Sequence, residues 1–184
     1  RIWLIVAVKV VAIAAALLVP AMPQPLEYHD FSDQRGAFGI DNFLDVTSNA
    51  AFLVVGVAGL VVSLGRRTRF EFNVERWPYV IFFVGVVLTA LGSSYYHLSP
   101  DNETLFWDRL PMTVAFMALV CSQIVERINI RAGLALVLPM LALGALSVFY
   151  WRATERAGAG NVIWCNLSDG VRMVGDAKQS MRLT

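Results

Sequence analysis

The sequence predicts an all-α fold, a polytopic bundle of transmembrane helices. Of its 184 residues, 57% are apolar and 16% are charged, whereas soluble domains have about 25% charged residues. Mean hydropathy is +0.59, and several apolar runs approach the roughly 20 residues that a helix needs to cross a bilayer. These runs are too long for barrel strands, and a spanning helix satisfies its own backbone hydrogen bonds. The formal charge of +1 gives no indication of a nucleic-acid partner.

Five membrane spans are predicted in one domain of residues 1–157. They are residues 2–20, 43–64, 77–98, 110–125 and 132–151. The first span resembles a signal peptide, but Lys9 interrupts its apolar stretch, so we expect a retained anchor. Residues 158–184 are a polar tail without helical or strand periodicity, which we expect to be disordered or translated out of frame.

The charges of the connecting loops alternate along the chain and predict the topology. Loops 65–76 and 126–131 are basic, and short basic loops stay in the cytoplasm. Loops 21–42 and 99–109 are acidic and are predicted on the opposite side. Five spans with a cytoplasmic N-terminus satisfy all four loops.

Three polar side chains gather where one apolar run ends and the next begins. Ser93 and His97 are four residues apart and share a helix face. Asp108 follows His97 by eleven residues, at the mouth of the neighbouring antiparallel span. Ionisable groups inside spans are functional candidates, and a hydroxyl, an imidazole and a carboxylate suit metal-assisted hydrolysis. A polar contact that only holds helices together is the alternative.

Two motifs carry a resemblance to a known family. The segment "SSYYH", with an aspartate eleven residues later in "LFWDRLPM", resembles the alkaline ceramidase family. These seven-span hydrolases belong to a superfamily that includes the progestin and adiponectin receptors. The upstream segment "DFSDQRGAFGIDNFLDVTSNAAF" resembles the acidic segment that leads into the first core helix of the family. The resemblance covers about residues 28–156 and implies a truncated seven-span core with an extra N-terminal span.

The resemblance implies an integral membrane hydrolase that cleaves the N-acyl amide of ceramide-type sphingolipids with zinc-activated water. It makes His97 a zinc ligand and Asp108 the residue that orients or deprotonates the water. Ser93 is then expected to stabilise the tetrahedral intermediate. A lipid substrate also suits an apolar bundle, because the acyl chains stay in apolar surroundings.

A calcium site is implied on the acidic segment, at Asp30, Asp33 and Asn42. Oxygen ligands are those that calcium prefers. Asn42 stands where the family tends to carry a glutamate, and an ordinary acidic loop is the alternative.

The sequence also departs from the family pattern. Catalytic zinc usually has three protein ligands, and the family takes two of them from an H-x-x-x-H pair in its final span. This chain has two histidines in total, and the second, His29, lies in the first loop. We therefore expect a C-terminally incomplete and inactive chain. A non-catalytic receptor or scaffold of the same superfamily, and a protein whose polar cluster only joins helices, are the alternatives.

Overall fold

The structure, a computed structural model, describes residues 23–31, 34–65, 68, 70–158 and 160. Within these residues the chain is helical and has no strand, only an isolated bridge between Ala37 and Ile40. The predicted all-α fold is confirmed. The predicted span at 2–20 and most of the predicted tail, residues 161–184, lie outside the described residues.

The described residues form five α-helices and two one-turn 3-10 helices, Leu26–His29 and Asn73–Glu75. The α-helices are α1 (Phe43–Ser48), α2 (Ala50–Leu64), α3 (Arg76–Leu98), α4 (Asn102–Arg127) and α5 (Ile130–Arg156). Four segments are long and apolar enough to cross a membrane, namely Phe43–Leu64, Asn73–Leu98, Asn102–Arg127 and Ile130–Arg156. The chain is therefore a multi-pass integral membrane protein, and these four segments match the last four predicted spans.

The predicted loop at 99–109 is wrong in its extent, because α4 already begins at Asn102. The Asp101 side chain accepts a hydrogen bond from the Thr104 backbone N–H at 2.6 Å, and the Asp101 N–H donates to Thr104 Oγ1 at 3.1 Å. This capping box satisfies backbone donors at the helix start. Asp108 consequently lies inside the helix and not at its mouth.

Consecutive helices pack against one another, so α3 and α4 each lie between two neighbouring helices, and α4 is the more buried of the two. Of the most apolar window of α4, 56% is buried, against 17% in Phe43–Leu64 and 22% in α5. Glycines permit close approach: a Cβ on Gly59 would lie 2.1 Å from the Phe83 ring, and one on Gly85 would lie 2.7 Å from the Ala115 nitrogen. Small residues at such crossings are typical of membrane helices, which associate by close packing because lipid is as apolar as their side chains.

One end of the bundle, formed by the last turns of α3 and the first turns of α4, is called the site end. A buried cluster fills it, made of Tyr96, Leu105, Phe106, Val148 and Trp151. Residues 23–31, called the strap, run across this end, and Tyr28 and Phe31 pack against the cluster. The strap therefore covers the part of the bundle that carries the predicted polar residues.

Candidate functional site

Ser93, His97 and Asp108 meet at the site end, between α3 and α4. Ser93 is buried, and its hydroxyl lies close enough to the Asp108 carboxyl to interact with it. A hydroxyl in this position can donate to an ionised carboxylate, which only accepts hydrogen bonds. His97 is close enough to Asp108 to interact with it electrostatically. The structure thus brings together the three residues that the spacing singled out.

Gly92 makes this meeting possible because it lets α4 approach α3 closely. A Cβ at position 92 would lie 2.0 Å from the Trp107 carbonyl oxygen and 3.4 Å from the Asp108 Cα. No side chain larger than hydrogen fits there without moving a helix. The residue before Ser93 therefore sets how closely Ser93 approaches Asp108.

The His97 imidazole buries one of its nitrogens among aromatic rings. Its Nδ1 is buried and has no hydrogen-bond partner in the described part of the chain. The ring centroid of Phe31 lies 4.6 Å from that of His97, and the centroid of Tyr96 lies 5.3 Å away. Buried polar groups in proteins are nearly always paired, so this nitrogen is available to bind a ligand.

The strap is held over the site by polar contacts to three helices. The Nε2 of His29 donates to Asn102 Oδ1 at 3.0 Å, because an amide oxygen only accepts. In the neutral ring, Nδ1 then accepts from the Tyr96 hydroxyl at 2.9 Å. The Gln24 N–H donates to Glu155 Oε1 at 2.7 Å. Both nitrogens of His29 are therefore engaged in fixing the strap.

Arg109 brings a buried positive charge to the same end of the bundle. Its side chain is 4% exposed, and its Nη2 donates to Gln24 Oε1 at 2.8 Å. The guanidinium carbon lies 4.7 Å from the Trp151 ring centroid and 5.6 Å from that of Tyr28. Arg109 thus points away from the Ser93 side of α4, towards α5 and the strap.

The two described residues of the predicted calcium site, Asp30 and Asn42, are engaged in separate contacts. Asp30 accepts a hydrogen bond from the Gln34 side chain, whereas the Asn42 Nδ2 donates to the His97 carbonyl oxygen at 2.8 Å. Asp33 lies outside the described residues. Asn42 adopts the left-handed backbone conformation, with φ of 49°, which asparagine tolerates well. Its observed contact is to the backbone of the polar cluster, and the calcium site stays a prediction.

The residues present supply only part of a zinc site. Among the described residues, no three His, Cys, Asp or Glu side chains are grouped to hold a metal. His97 offers one free imidazole nitrogen beside the Asp108 carboxylate, whereas His29 is occupied elsewhere. Catalytic zinc usually takes three protein ligands. The described residues therefore do not make a complete zinc site, and the zinc remains an implication of the resemblance.

No protein-family model, curated protein or solved structure matches this chain. The resemblance to the alkaline ceramidases accordingly rests on the sequence motifs alone.

Three residues of the site were not predicted from the sequence, namely Phe31, Gly92 and Arg109. A glycine directly before a polar helix position is a readable signal of close helix approach. A positive charge directly after Asp108 is a second signal, because charges in spans are rarely incidental. Phe31 gave no signal, since the return of the strap to the bundle follows no local periodicity.

Proposed function

We propose that this chain forms part of a membrane-embedded hydrolase of the alkaline ceramidase type, which cleaves the N-acyl amide of a sphingoid lipid. One observation carries the proposal: Ser93 and Asp108 lie next to each other between two membrane helices, beside a His97 nitrogen that has no hydrogen-bond partner among the described residues. A pair that served only to join helices would satisfy its neighbouring polar atoms. A reactive site leaves donors and acceptors free for substrate.

In the proposed reaction, water adds to the acyl carbon, the C–N bond breaks, and the products are a fatty acid and a free amine. Asp108 accepts a proton from the attacking water as a general base, and it then gives that proton to the leaving nitrogen as the C–N bond breaks. Once protonated, Asp108 no longer requires the Ser93 hydroxyl as a donor, so that hydroxyl becomes free to donate to the developing oxyanion. His97 keeps its Nδ1 for the metal that the resemblance implies, which supplies Lewis-acid chemistry when bound.

The test is release of sphingoid base from ceramide by membranes that carry the whole product of the gene. Asp108→Asn removes the base and is expected to lower the rate by roughly 10²–10⁴-fold. Ser93→Ala removes one oxyanion donor and is expected to lower it by roughly 10²–10³-fold. Ser94→Ala is the matched control, because the Ser94 hydroxyl bonds the Val46 carbonyl and does not face Asp108.

The opposite results would refute the proposal. Wild-type membranes without amide hydrolysis, or Asp108→Asn membranes with full hydrolysis, would exclude this role. A His97→Ala chain that does not fold, instead of folding without activity, would show that the cluster only joins helices.

A receptor or scaffold of the same superfamily is the second candidate. The incomplete ligand set among the described residues favours it, because a structural contact does not need three metal ligands. Ligand-dependent stabilisation of the chain without hydrolysis of ceramide would distinguish this candidate from the enzyme.

In this proposal, the basic segments 65–76 and 126–131 lie at the cytoplasmic side, although the helices extend into both segments, and the site end lies on the opposite side. The charge alternation of the loops supports this orientation. A single cysteine at Asn129, in a variant without native cysteines, should react with an impermeant maleimide only from the cytoplasmic side. A cysteine at Ser99 should react only from the other side, and the reverse labelling would invert the topology.

A further inference from the structure

The site end contains a second group of polar atoms, on the side of α4 that faces away from Ser93. It consists of the Arg109 guanidinium, the Trp151 indole N–H and the amide oxygen of Gln24. Arg109 is 4% exposed and Trp151 is fully buried. The group lies one residue along α4 from Asp108, and the buried Tyr96 interacts electrostatically with both Asp108 and Arg109.

Arg109 makes no ion pair within the described part of the chain, although the neighbouring Asp108 interacts with it electrostatically. In the described part of the chain, its hydrogen-bond partner is the neutral Gln24, and the nearby rings of Trp151 and Tyr28 contribute cation–π attraction. By contrast, Arg152 and Arg156 on α5 both pair with Glu103. A buried charge is normally paired because its desolvation is costly. Arg109 therefore has the environment of a residue that binds an anion.

Two donors of the group are left without acceptors. Arg109 Nη1 and Trp151 Nε1 are both buried and have no hydrogen-bond partner among the described residues. Arg109 Nη2 donates to Gln24 Oε1, so this donor too would be free if the strap moved. The group thus offers three N–H donors, on two side chains that are already in contact.

We propose that Arg109 and Trp151 form a binding site for the phosphate head group of a lipid, closed by Gln24 of the strap. A phosphate monoester has three terminal oxygens, one for each of the three donors, and arginine binds phosphate with two parallel hydrogen bonds. The surrounding cluster is aromatic and aliphatic, so the remainder of the ligand is apolar. Gln24 Oε1 occupies the acceptor position at Nη2 when no head group is bound.

This site goes beyond the proposed function, on which only the choice of an N-acyl sphingoid lipid as the probe rests. Arg109 faces Trp151 and Gln24 and points away from Ser93, so the lipid that it binds does not have to place an amide at Asp108. Neutral ceramide remains the substrate of the proposed hydrolysis, and the anionic lipid is a second ligand.

The experiment measures thermal stabilisation of the purified full chain in neutral detergent, with three probes. They are an N-acyl sphingoid phosphate, the same lipid with a free hydroxyl in place of the phosphate, and inorganic phosphate. The phosphate lipid at about 100 times its Kd is expected to raise Tm by about 5 °C. The hydroxyl lipid and inorganic phosphate are expected to raise it much less.

Variants test the donors one at a time. Trp151→Phe keeps the ring and removes the N–H, and is expected to weaken binding of the phosphate lipid roughly tenfold. Gln24→Ala removes the competing acceptor and is expected to tighten binding. Trp107→Phe is the matched control, because the Trp107 side chain is 51% exposed at the same end of the bundle; it should leave binding unchanged.

Three results would overturn the inference. Equal stabilisation by the phosphate and hydroxyl lipids would exclude an anion site, and equal stabilisation by inorganic phosphate would exclude a lipid head group. Unchanged binding in a folded Trp151→Phe chain would exclude the assigned donor. Asp108→Asn should still bind the phosphate lipid, so a failure of hydrolysis and a failure of this site are distinguishable.

Discussion

Replacing Gly92 by alanine should separate the two helices that carry the polar cluster. The new Cβ would lie 2.0 Å from the Trp107 carbonyl oxygen, whereas ordinary van der Waals contact begins at 3.4 Å. That oxygen belongs to the α4 backbone and has no rotamer to change. The helices must therefore move apart by about 1 Å to relieve most of the overlap, at a cost of roughly 1–3 kcal/mol in stability.

A shift of this size would break the contact between Ser93 and Asp108. A hydroxyl-to-carboxylate hydrogen bond has an O···O distance of roughly 2.5–3.0 Å, so a further 1 Å places the oxygens beyond bonding range. If the proposed hydrolysis occurs here, a misplacement of about 1 Å corresponds to a rate loss of roughly 100-fold.

Disulfide cross-linking measures this separation without requiring activity. In a chain whose native cysteines are replaced by alanine, Ser93→Cys and Asp108→Cys should form an inter-helix disulfide under mild oxidation. Adding Gly92→Ala should slow that cross-linking several-fold. Gly144→Ala is the matched control, because the atoms nearest to its Cβ belong to the side chains of Met117 and Thr113, at 3.0 Å and 3.1 Å, and not to a helix backbone.

Unchanged cross-linking and unchanged Tm in the Gly92→Ala chain would refute the reasoning. They would show that α3 and α4 do not approach as closely at this point as the structure has them. Equal damage from Gly92→Ala and Gly144→Ala would indicate a general sensitivity to added volume.

Three further predictions concern packing, capping and metal content. Phe106→Ala should lower the free energy of unfolding in detergent by about 3 kcal/mol, because Phe106 is 2% exposed. The control Trp107→Ala should lower it far less. Equal losses in the two variants would contradict the assigned burial of Phe106. Asp101→Ala removes the cap of α4 and should lower the free energy of unfolding by about 1 kcal/mol. An unchanged Tm in this variant would contradict the capping box. The purified 184-residue chain should contain well under one equivalent of zinc by elemental analysis, and stoichiometric zinc would show that its ligand set is sufficient.

Apolar run lengths located the last four membrane segments well and their ends less well. The prediction placed residues 99–109 in a loop, whereas α4 starts at Asn102. The polar residues at positions 101–104 lowered the local hydropathy, but the same residues form a helix cap. Hydropathy reports the transfer of side chains into lipid, and it does not detect helix that continues past the apolar core.

The sequence by itself determined that Ser93 and His97 share a helix face and that Asp108 belongs to the neighbouring span. Helical periodicity and a short connection are local properties, so the spacing of residues sufficed for both. Only the tertiary structure decided that Ser93 pairs with Asp108, that Arg109 turns to Trp151, and that Gln24 and Phe31 come from the strap to cover them. These contacts join residues up to 85 positions apart, and they depend on how closely two helix backbones approach, which is a property of packing and not of any local period.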